Sequence, residues 1–234
     1  MGVQTSDRFR RGLGALALTS GVAVAASACI PTGTAAVPVP TTAPPAPPTT
    51  IDPAKIAPWP VMGAPRFTAE QLVAWYRSKR IVGATNTVPV EELARLFIEE
   101  GRIEGVAGDL AFVQAMIETG WLRFSQRMPA SNNNFSGIGA VDGGTGSSAF
   151  DTPALGVRAQ IQYLKAYATP NFSLSMLANP PVSSRLLAVA NWVKGKGALW
   201  SNFGNGVWAT DPNYATLMDK LYRDLAARYN VRVK

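Results

Sequence analysis

Histidine is missing from this chain of 234 residues, and cysteine occurs only once. Ser-His-Asp and Cys-His nucleophile systems, histidine general bases and histidine-ligated zinc sites therefore cannot be built from it. A single cysteine forms neither an internal disulfide nor a multi-cysteine metal site, so we expect no metal and no cofactor. Acid–base chemistry would have to come from carboxylates, lysines or tyrosines.

Charged side chains are also scarce, at 16% of residues, and the formal net charge is +7. With 47% hydrophobic residues, the composition suits one ordinary globular domain with accessory segments and excludes a long disordered polyelectrolyte. The basic residues are scattered along the expected helical faces rather than bunched. This pattern argues against a nucleic-acid partner and allows only a mild affinity for anionic wall polymers.

Residues 1–28 have the pattern of an export signal peptide. Arg8, Arg10 and Arg11 form a basic region, and residues 12–28 are uncharged and rich in Ala, Leu and Val. Cleavage before Cys29 would leave that cysteine lipid-modified at the outer face of the membrane, which is the interpretation we favour. An ordinary cut would give a secreted protein, and a retained membrane anchor is a third option. All three place the rest of the chain outside the cytoplasm.

Residues 29–66 hold 11 of the 18 prolines, together with Thr, Ala and Val and almost no charge. Proline-rich segments stay extended at about 3.1 Å per residue, so this one would reach on the order of 100 Å. We expect a tether that carries a domain from the membrane towards the cell wall.

Residues 67–234 are expected to form one mainly α-helical domain. Apolar spacing and capping signals predict helices over residues 69–79, 89–101, 106–119, 153–168, 183–194 and 211–229. Residues 132–149 are rich in Asn, Gly and Ser and suggest a small β-hairpin at most. The predicted fold class is mainly α with a minor β element.

The third predicted helix carries an unusual carboxylate. Every residue from Leu110 to Ile117 except Gln114 is apolar, so the helix should be buried on nearly all sides, and Glu118 follows in its last turn. A dry environment and the negative end of the helix dipole both raise a carboxyl pKa, as a general acid near neutral pH requires. The alternative is that Glu118 lies in solvent at a frayed helix end.

Four motifs in order make the chain resemble a known family: Glu118-Thr119-Gly120-Trp121, Asn133-Asn134-Phe135-Ser136-Gly137-Ile138, Phe150-Asp151-Thr152-Pro153 and Trp208-Ala209-Thr210-Asp211-Pro212-Asn213-Tyr214-Ala215. They resemble the bacterial glucosaminidase domain of glycoside hydrolase family 73, which includes peptidoglycan autolysins. Gly137-Ile138-Gly139-Ala140 and Val157-Arg158-Ala159-Gln160 look most like the exported actinobacterial members. The resemblance covers about residues 91–228.

The resemblance implies a lysozyme-like α+β fold and hydrolysis of the β-1,4 bond after N-acetylglucosamine in peptidoglycan glycan strands. Glu118 falls on the family's catalytic acid, and Tyr214 falls on its tyrosine that positions or stabilises the reacting sugar. Asp142 and Asp151 are candidates for a second carboxylate, although the position of Asp151 before Thr152-Pro153 favours a role as the cap of the helix that follows. If neither serves, the substrate's own 2-acetamido group could act as the nucleophile.

Several side chains fit glycan binding, by hydrogen bonding, by close backbone approach or as aromatic platforms: Asn133, Asn134, Gly137, Trp121, Trp208, and with them Trp200 and Phe203. The asparagines could instead build a turn, and each aromatic could instead fill the core. Trp75 and Trp192, at helical spacing, are expected in the core.

Three departures from the family pattern leave other functions open. Gly139 stands where the family commonly has a basic residue, residues 142–148 are short and glycine-rich, and a cysteine pair common in the actinobacterial relatives is missing. A cell-wall binding module without efficient turnover and a lytic transglycosylase that uses a single glutamate both remain as alternatives.

Overall fold

The structure is a computed structural model that describes residues 59–140 and 146–230. The expected signal peptide, Cys29, most of the expected tether and Asp142 lie outside the described residues. The described chain forms six α-helices: α1 Ala69–Ser78, α2 Val90–Glu104, α3 Gly108–Glu118, α4 Pro153–Ala168, α5 Ser184–Val193 and α6 Tyr214–Arg228. The predicted mainly α class is confirmed. None of these helices combines the length and the apolar character needed to cross a bilayer.

Local sequence signals account for most of the helix ends. The predicted capping box of α1 is present, with Thr68 and Gln71 each accepting from the other's backbone N–H. Helix α2 continues three residues past Gly101 and ends before Gly105, which has φ 74°. Gly101 instead lies against the start of α3, where a Cβ on it would lie 2.8 Å from Gly108 Cα. Glycine therefore allows α2 and α3 to approach closely here.

Helix α6 begins later than the sequence predicts. Asp211 was expected as its N-cap, but the helix begins at Tyr214 with Asn213 as the N-cap residue. The Asp211 carboxylate accepts from the backbone N–H of Asn213 at 2.8 Å, which closes a turn before the helix. The hydrogen-bonding capacity of Asp211 is thus used by this local turn.

Helix α3 is the centre of the domain and packs against α1, α2, α4 and α6. Residues Gly108 to Met116 are all buried, as the apolar run predicts. At its first turn, buried Asp109 accepts from the backbone N–H of Arg66 at 2.8 Å and from the Tyr222 hydroxyl at 2.6 Å. These bonds tie the segment before α1 and helix α6 to the start of α3.

Two ion pairs join α2 and α4 at their partly buried interface. Arg158 donates two hydrogen bonds to Glu100, at 2.9 and 2.7 Å, and Lys165 donates to Glu104 at 2.7 Å. Both glutamates are almost fully buried, so each needs its cationic partner. Helix α4 is thereby held in register on α2.

Residues 59–66, which the composition assigns to the tether, pack on the helical domain. Trp59 and Val61 are buried, and Pro60 and Met62 make isolated antiparallel bridges to Leu199 and Val106. The apolar side chains of this short stretch explain why it packs on the domain instead of remaining in solvent.

The expected β-hairpin within residues 132–149 is not supported. Its described parts, residues 132–140 and 146–149, contain no strand, and residues 141–145 lie outside the described residues. The side chain of Asn134 donates to the carbonyl oxygens of Ile138 and Ser148 and accepts from the Ile138 N–H. The backbone N–H groups of Ser148 and Phe150 donate to Ile138 O and Asn132 O, at 2.8 and 2.9 Å, so the two segments are joined by single backbone bonds and the Asn134 amide without forming a strand.

Candidate active site

Glu118 is the last residue of α3, and it is half-buried where α3 meets the cleft. Its Oε1 accepts a hydrogen bond from Trp208 Nε1 at 3.0 Å and another from the Tyr214 hydroxyl at 2.5 Å. Burial raises the pKa of Glu118 to about 7, although the hydrogen bonds from Tyr214 and Trp208 act in the opposite direction. The carboxyl group therefore exchanges its proton near neutral pH, and the alternative of a frayed, solvated end is wrong.

A left-handed turn follows Glu118 and fixes the end of α3. Gly120, Trp121 and Leu122 have φ of 58°, 64° and 62° in succession. Side chains other than glycine disfavour this conformation, so other contacts must hold it. The Trp121 N–H donates to Met116 O at 2.7 Å, and the Leu122 carbonyl accepts from the Thr85 N–H at 2.8 Å.

The turn gives Trp121 a packing role. Its ring lies against Trp75 and Tyr76, with ring centres 5.2 and 6.3 Å away. The structure places this side chain on α1, outside the set of residues that line the cleft beside Glu118. The predicted glycan platform at Trp121 is therefore corrected to a contact that supports the turn.

Asn133 and Asn134 are buried and turned towards the protein. Asn133 donates to Phe150 O at 2.9 Å and accepts from the Thr87 hydroxyl at 2.6 Å, while Asn134 closes the loop up to Ile138 as described above. Their amides are used within the domain, so the structure favours the turn interpretation over direct sugar contact. The loop also needs Gly156 of α4, where a Cβ would lie 1.7 Å from Asn133 O.

Gly137 lies beside Glu118, where the absence of a side chain allows close approach to the carboxyl group, as the sequence predicts. It has φ 67°, and a Cβ built on it would lie 3.2 Å from Glu118 Oε2. Oε1 is occupied by two donors, whereas Oε2 faces the open side left by this glycine. A ligand group can therefore approach Oε2 without meeting a side chain from residue 137.

A cleft of about 470 Å³ opens at Glu118. Besides Glu118, three segments contribute to its lining: Ser125, Arg127 and Met128; Ser136, Gly137 and Ala140; and Trp208, Ala209 and Thr210. Glu118 is the only carboxylate among the described residues that line this cleft. Two larger concavities on the domain surface do not contain Glu118.

Tyr214 and Trp208 meet the acid from the far end of the chain. Tyr214 is the first residue of α6 and is buried, and Trp208 precedes it in a partly exposed turn. Burial and the neighbouring Glu118 carboxylate hold the pKa of Tyr214 well above its usual range, so the phenol stays protonated and donates to Glu118. The structure brings Tyr214, predicted from the resemblance, and Trp208, predicted as an aromatic platform, together with Glu118.

A buried pair of amides supports Tyr214 and was not foreseen. Gln160 on α4 donates to Gln114 Oε1 at 2.8 Å and to Ala111 O at 3.1 Å. The Gln114 side chain also interacts with the Tyr214 hydroxyl and lowers its pKa. Gln114 is the one polar residue in the apolar run of α3, which is the signal that could have identified it.

Asp151 is exposed and lies outside the described cleft lining. It does not cap α4 either, because Thr152 is the N-cap residue and its hydroxyl accepts from the Leu155 N–H at 3.2 Å. The structure brings this carboxylate neither to the cap nor to the cleft. The other candidate, Asp142, lies outside the described residues.

The remaining aromatic predictions divide between core and surface. Trp200 and Phe203 are buried and stack on each other with ring centres 5.0 Å apart, so they are core residues rather than platforms. Trp75 is in the core as expected. Trp192 was expected there too, but it is 58% exposed, with the Lys196 ammonium 3.6 Å from its ring centre. It lies on the outer face of α5, and its helical spacing did not reveal which face is buried.

Comparisons with known proteins give a family match that spans these residues. The family model described as mannosyl-glycoprotein endo-β-N-acetylglucosaminidase matches residues 94–227, which include Glu118, Trp208 and Tyr214. A protein of Borreliella burgdorferi, described as uncharacterized, is 38% identical over 91 residues, an alignment that covers 39% of this chain and 45% of that protein. The chain thus spans less than half of this relative. No solved structure matches the chain significantly.

Proposed function

We propose that this chain, which belongs to the glucosaminidase family, hydrolyses the β-1,4 bond after N-acetylglucosamine in peptidoglycan glycan strands. Membership of the family indicates a peptidoglycan-degrading glycosidase. The bond that is cleaved, the lysozyme-like character of the helical domain and the residues that act are our proposal. One observation supports it: a half-buried carboxyl group of raised pKa that accepts two hydrogen bonds on one oxygen and lines a cleft beside Gly137 with the other.

Glu118 acts in the proposed reaction as the general acid. Because Tyr214 and Trp208 both donate to Oε1, the proton of the neutral acid belongs on Oε2, beside Gly137. From there it passes to the glycosidic oxygen as the bond to the sugar breaks and an oxocarbenium-like transition state forms. As charge then develops on Glu118, the two hydrogen bonds to Oε1 stabilise the carboxylate.

In this proposal the substrate itself supplies the nucleophile. Glu118 is the only carboxylate among the described residues that line the cleft, and Asp151 lies outside that lining. The oxygen of the 2-acetamido group on N-acetylglucosamine can attack the anomeric carbon in place of a protein carboxylate. Water then opens the resulting cyclic intermediate, with Glu118 as the general base.

The same observation favours a lytic transglycosylase as the second candidate. Such an enzyme also needs a single acid–base glutamate, but it cleaves after muramic acid and leaves an anhydro-sugar. The alternative of a binding module without turnover would keep the cleft and lose the proton transfer. The products distinguish all three.

The proposed site of action is the cell envelope. The signal pattern in residues 1–28 and the proline-rich residues 29–66 support export of the domain, with Cys29 as a lipid anchor at the outer face of the membrane. Similarity to exported actinobacterial members rests on residues 137–140 and 157–160. The glycan strands of peptidoglycan would be the partner, and no cofactor is needed.

Digestion of purified peptidoglycan by the full chain, followed by mass spectrometry of the products, tests the proposal. Reducing-end N-acetylglucosamine is expected, and Glu118→Gln should release none of it above background. Glu99→Gln removes an exposed carboxylate from α2 and should behave like the wild type. Anhydro-muramic ends would instead identify the transglycosylase, and glycan binding without product would identify the module.

A further inference from the structure

A second, smaller chamber of about 120 Å³ adjoins the cleft at Glu118. The two share Ser136, Gly137, Ala140 and Trp208 as lining residues. A sugar placed with its glycosidic oxygen at Glu118 therefore has substituents within reach of this chamber. We name it the Arg185 pocket, because Arg185 is its one charged residue among the described residues that line it.

Hydroxyl groups make the pocket a hydrogen-bonding site. Ser136 and Tyr163 are buried, and neither hydroxyl has a hydrogen-bond partner among the described residues. Ser183 lies near enough to lower the pKa of Tyr163, yet their geometry falls short of a hydrogen bond. Buried hydroxyls usually have partners, so an unpartnered Ser136 hydroxyl in the wall shared by the pocket and the cleft fits a site where a ligand completes the hydrogen bonding.

The pocket offers donors and positive charge. Burial raises the pKa of Tyr167 to about 12 and raises that of Tyr163 as well, so both phenols are neutral donors at physiological pH. Arg185, at the start of α5, is exposed and reaches the pocket from its rim. None of the described lining residues of the pocket is acidic. This combination suits an anion with several acceptor oxygens.

We infer that the Arg185 pocket binds a carboxylate that the substrate carries next to the bond held at Glu118. The inference rests on the proposed function and names the substrate class of that site. In peptidoglycan, such a carboxylate belongs either to the lactyl group of muramic acid, once the stem peptide is removed, or to the stem peptide itself. Oligomers of N-acetylglucosamine have none. The pocket therefore selects muramic-acid strands over chitin-type glycans.

Glycan binding by full-length Glu118→Gln, with and without Arg185→Gln, tests this inference without turnover. The probes are intact peptidoglycan strands, amidase-treated strands with free lactyl groups, and the same treated strands after carbodiimide amidation. Loss of Arg185 should weaken binding to carboxylate-bearing strands about five- to tenfold and leave the amidated strands unchanged. An effect on intact strands alone assigns the stem peptide, and one on treated strands assigns the lactyl group.

Arg102→Gln is the matched control, because Arg102 is an exposed arginine on α2 outside the pocket. Arg185→Lys should recover part of the affinity, and thermal melting of each variant checks the fold. Equal losses from Arg102→Gln and Arg185→Gln, or an equal loss with amidated strands, would overturn the inference. If the wild type cleaves strands and Arg185→Gln binds normally, the pocket assignment alone fails. If carboxylate selectivity is found without any cleavage, only the proposed hydrolysis fails.

Discussion

Replacing Glu118 by Gln keeps the side-chain shape and removes its charge, and the structure gives the size of the effect. Burial raises the pKa of Glu118 from its ordinary 4.5 to about 7, so the folded chain retains a proton that the unfolded chain releases between these values. The free energy of unfolding of the wild type therefore decreases as pH rises from 4.5 to about 7. At about 1.4 kcal/mol for each pH unit, the loss reaches about 3 kcal/mol.

The assay compares the free energies of unfolding of wild type and Glu118→Gln by urea denaturation at pH values from 4 to 8. The new amide leaves a polar group in a site built for a carboxyl, but this cost does not vary with pH. The difference between the two proteins should therefore shift by about 3 kcal/mol in favour of the variant, with most of the change between pH 4.5 and 7. Glycan cleavage by the variant should fall at least 100-fold, since an amide cannot donate the proton.

A constant stability difference across this pH range would refute the reasoning, because it would mean that Glu118 titrates alike in the folded and unfolded chains. Glu99→Gln provides the control: this exposed residue pairs with Arg95 on the surface of α2, so its replacement should change neither the pH dependence nor cleavage. Wild-type turnover should also decline as pH rises through about 7, where Glu118 loses its proton.

Three further outcomes are expected. Tyr214→Phe removes a donor that favours the charged form of Glu118, so turnover should fall on the order of tenfold and its decline should move to higher pH; an unmoved pH profile would contradict this hydrogen bond. Asp151→Asn should leave melting and cleavage near wild type, whereas Thr152→Ala should cost about 1 kcal/mol as the loss of a true cap; a 100-fold drop in turnover for the former would make Asp151 the second carboxylate. Cys29→Ala should shift the protein from the membrane to the soluble exported fraction of host cells, and identical fractionation of both forms would exclude lipidation.

The helices were predictable where local chemistry decides. The apolar run of α3 and the capping box of α1 each depend on residues a few positions apart, and both are found as predicted. Pro153 likewise marks the first residue of α4. The burial of Glu118 followed from the same apolar run, since a helix covered on nearly all sides leaves its last turn in a dry environment.

Contacts between distant segments decide the features that the sequence did not reveal. The sequence does not show what the side-chain amides of Asn133 and Asn134 bind. In the folded loop they form hydrogen bonds with Thr87, Phe150 and Ser148. Trp192 has helical spacing whether it faces the core or solvent, so periodicity alone could not place it. The Gln160–Gln114 pair joins two helices, and no local pattern links these residues.

The distance along the chain between the acid and its partners has a consequence for when the site exists. Trp208 and Tyr214 follow Glu118 by 90 and 96 residues, and Tyr214 is the first residue of the last helix. Until α6 packs against α3, Oε1 of Glu118 lacks the hydrogen bond that the Tyr214 hydroxyl donates. Contacts of this kind close a long loop of the chain, which costs more conformational entropy than the local contacts within α3. The arrangement around Glu118 is therefore complete only when α6 is in place.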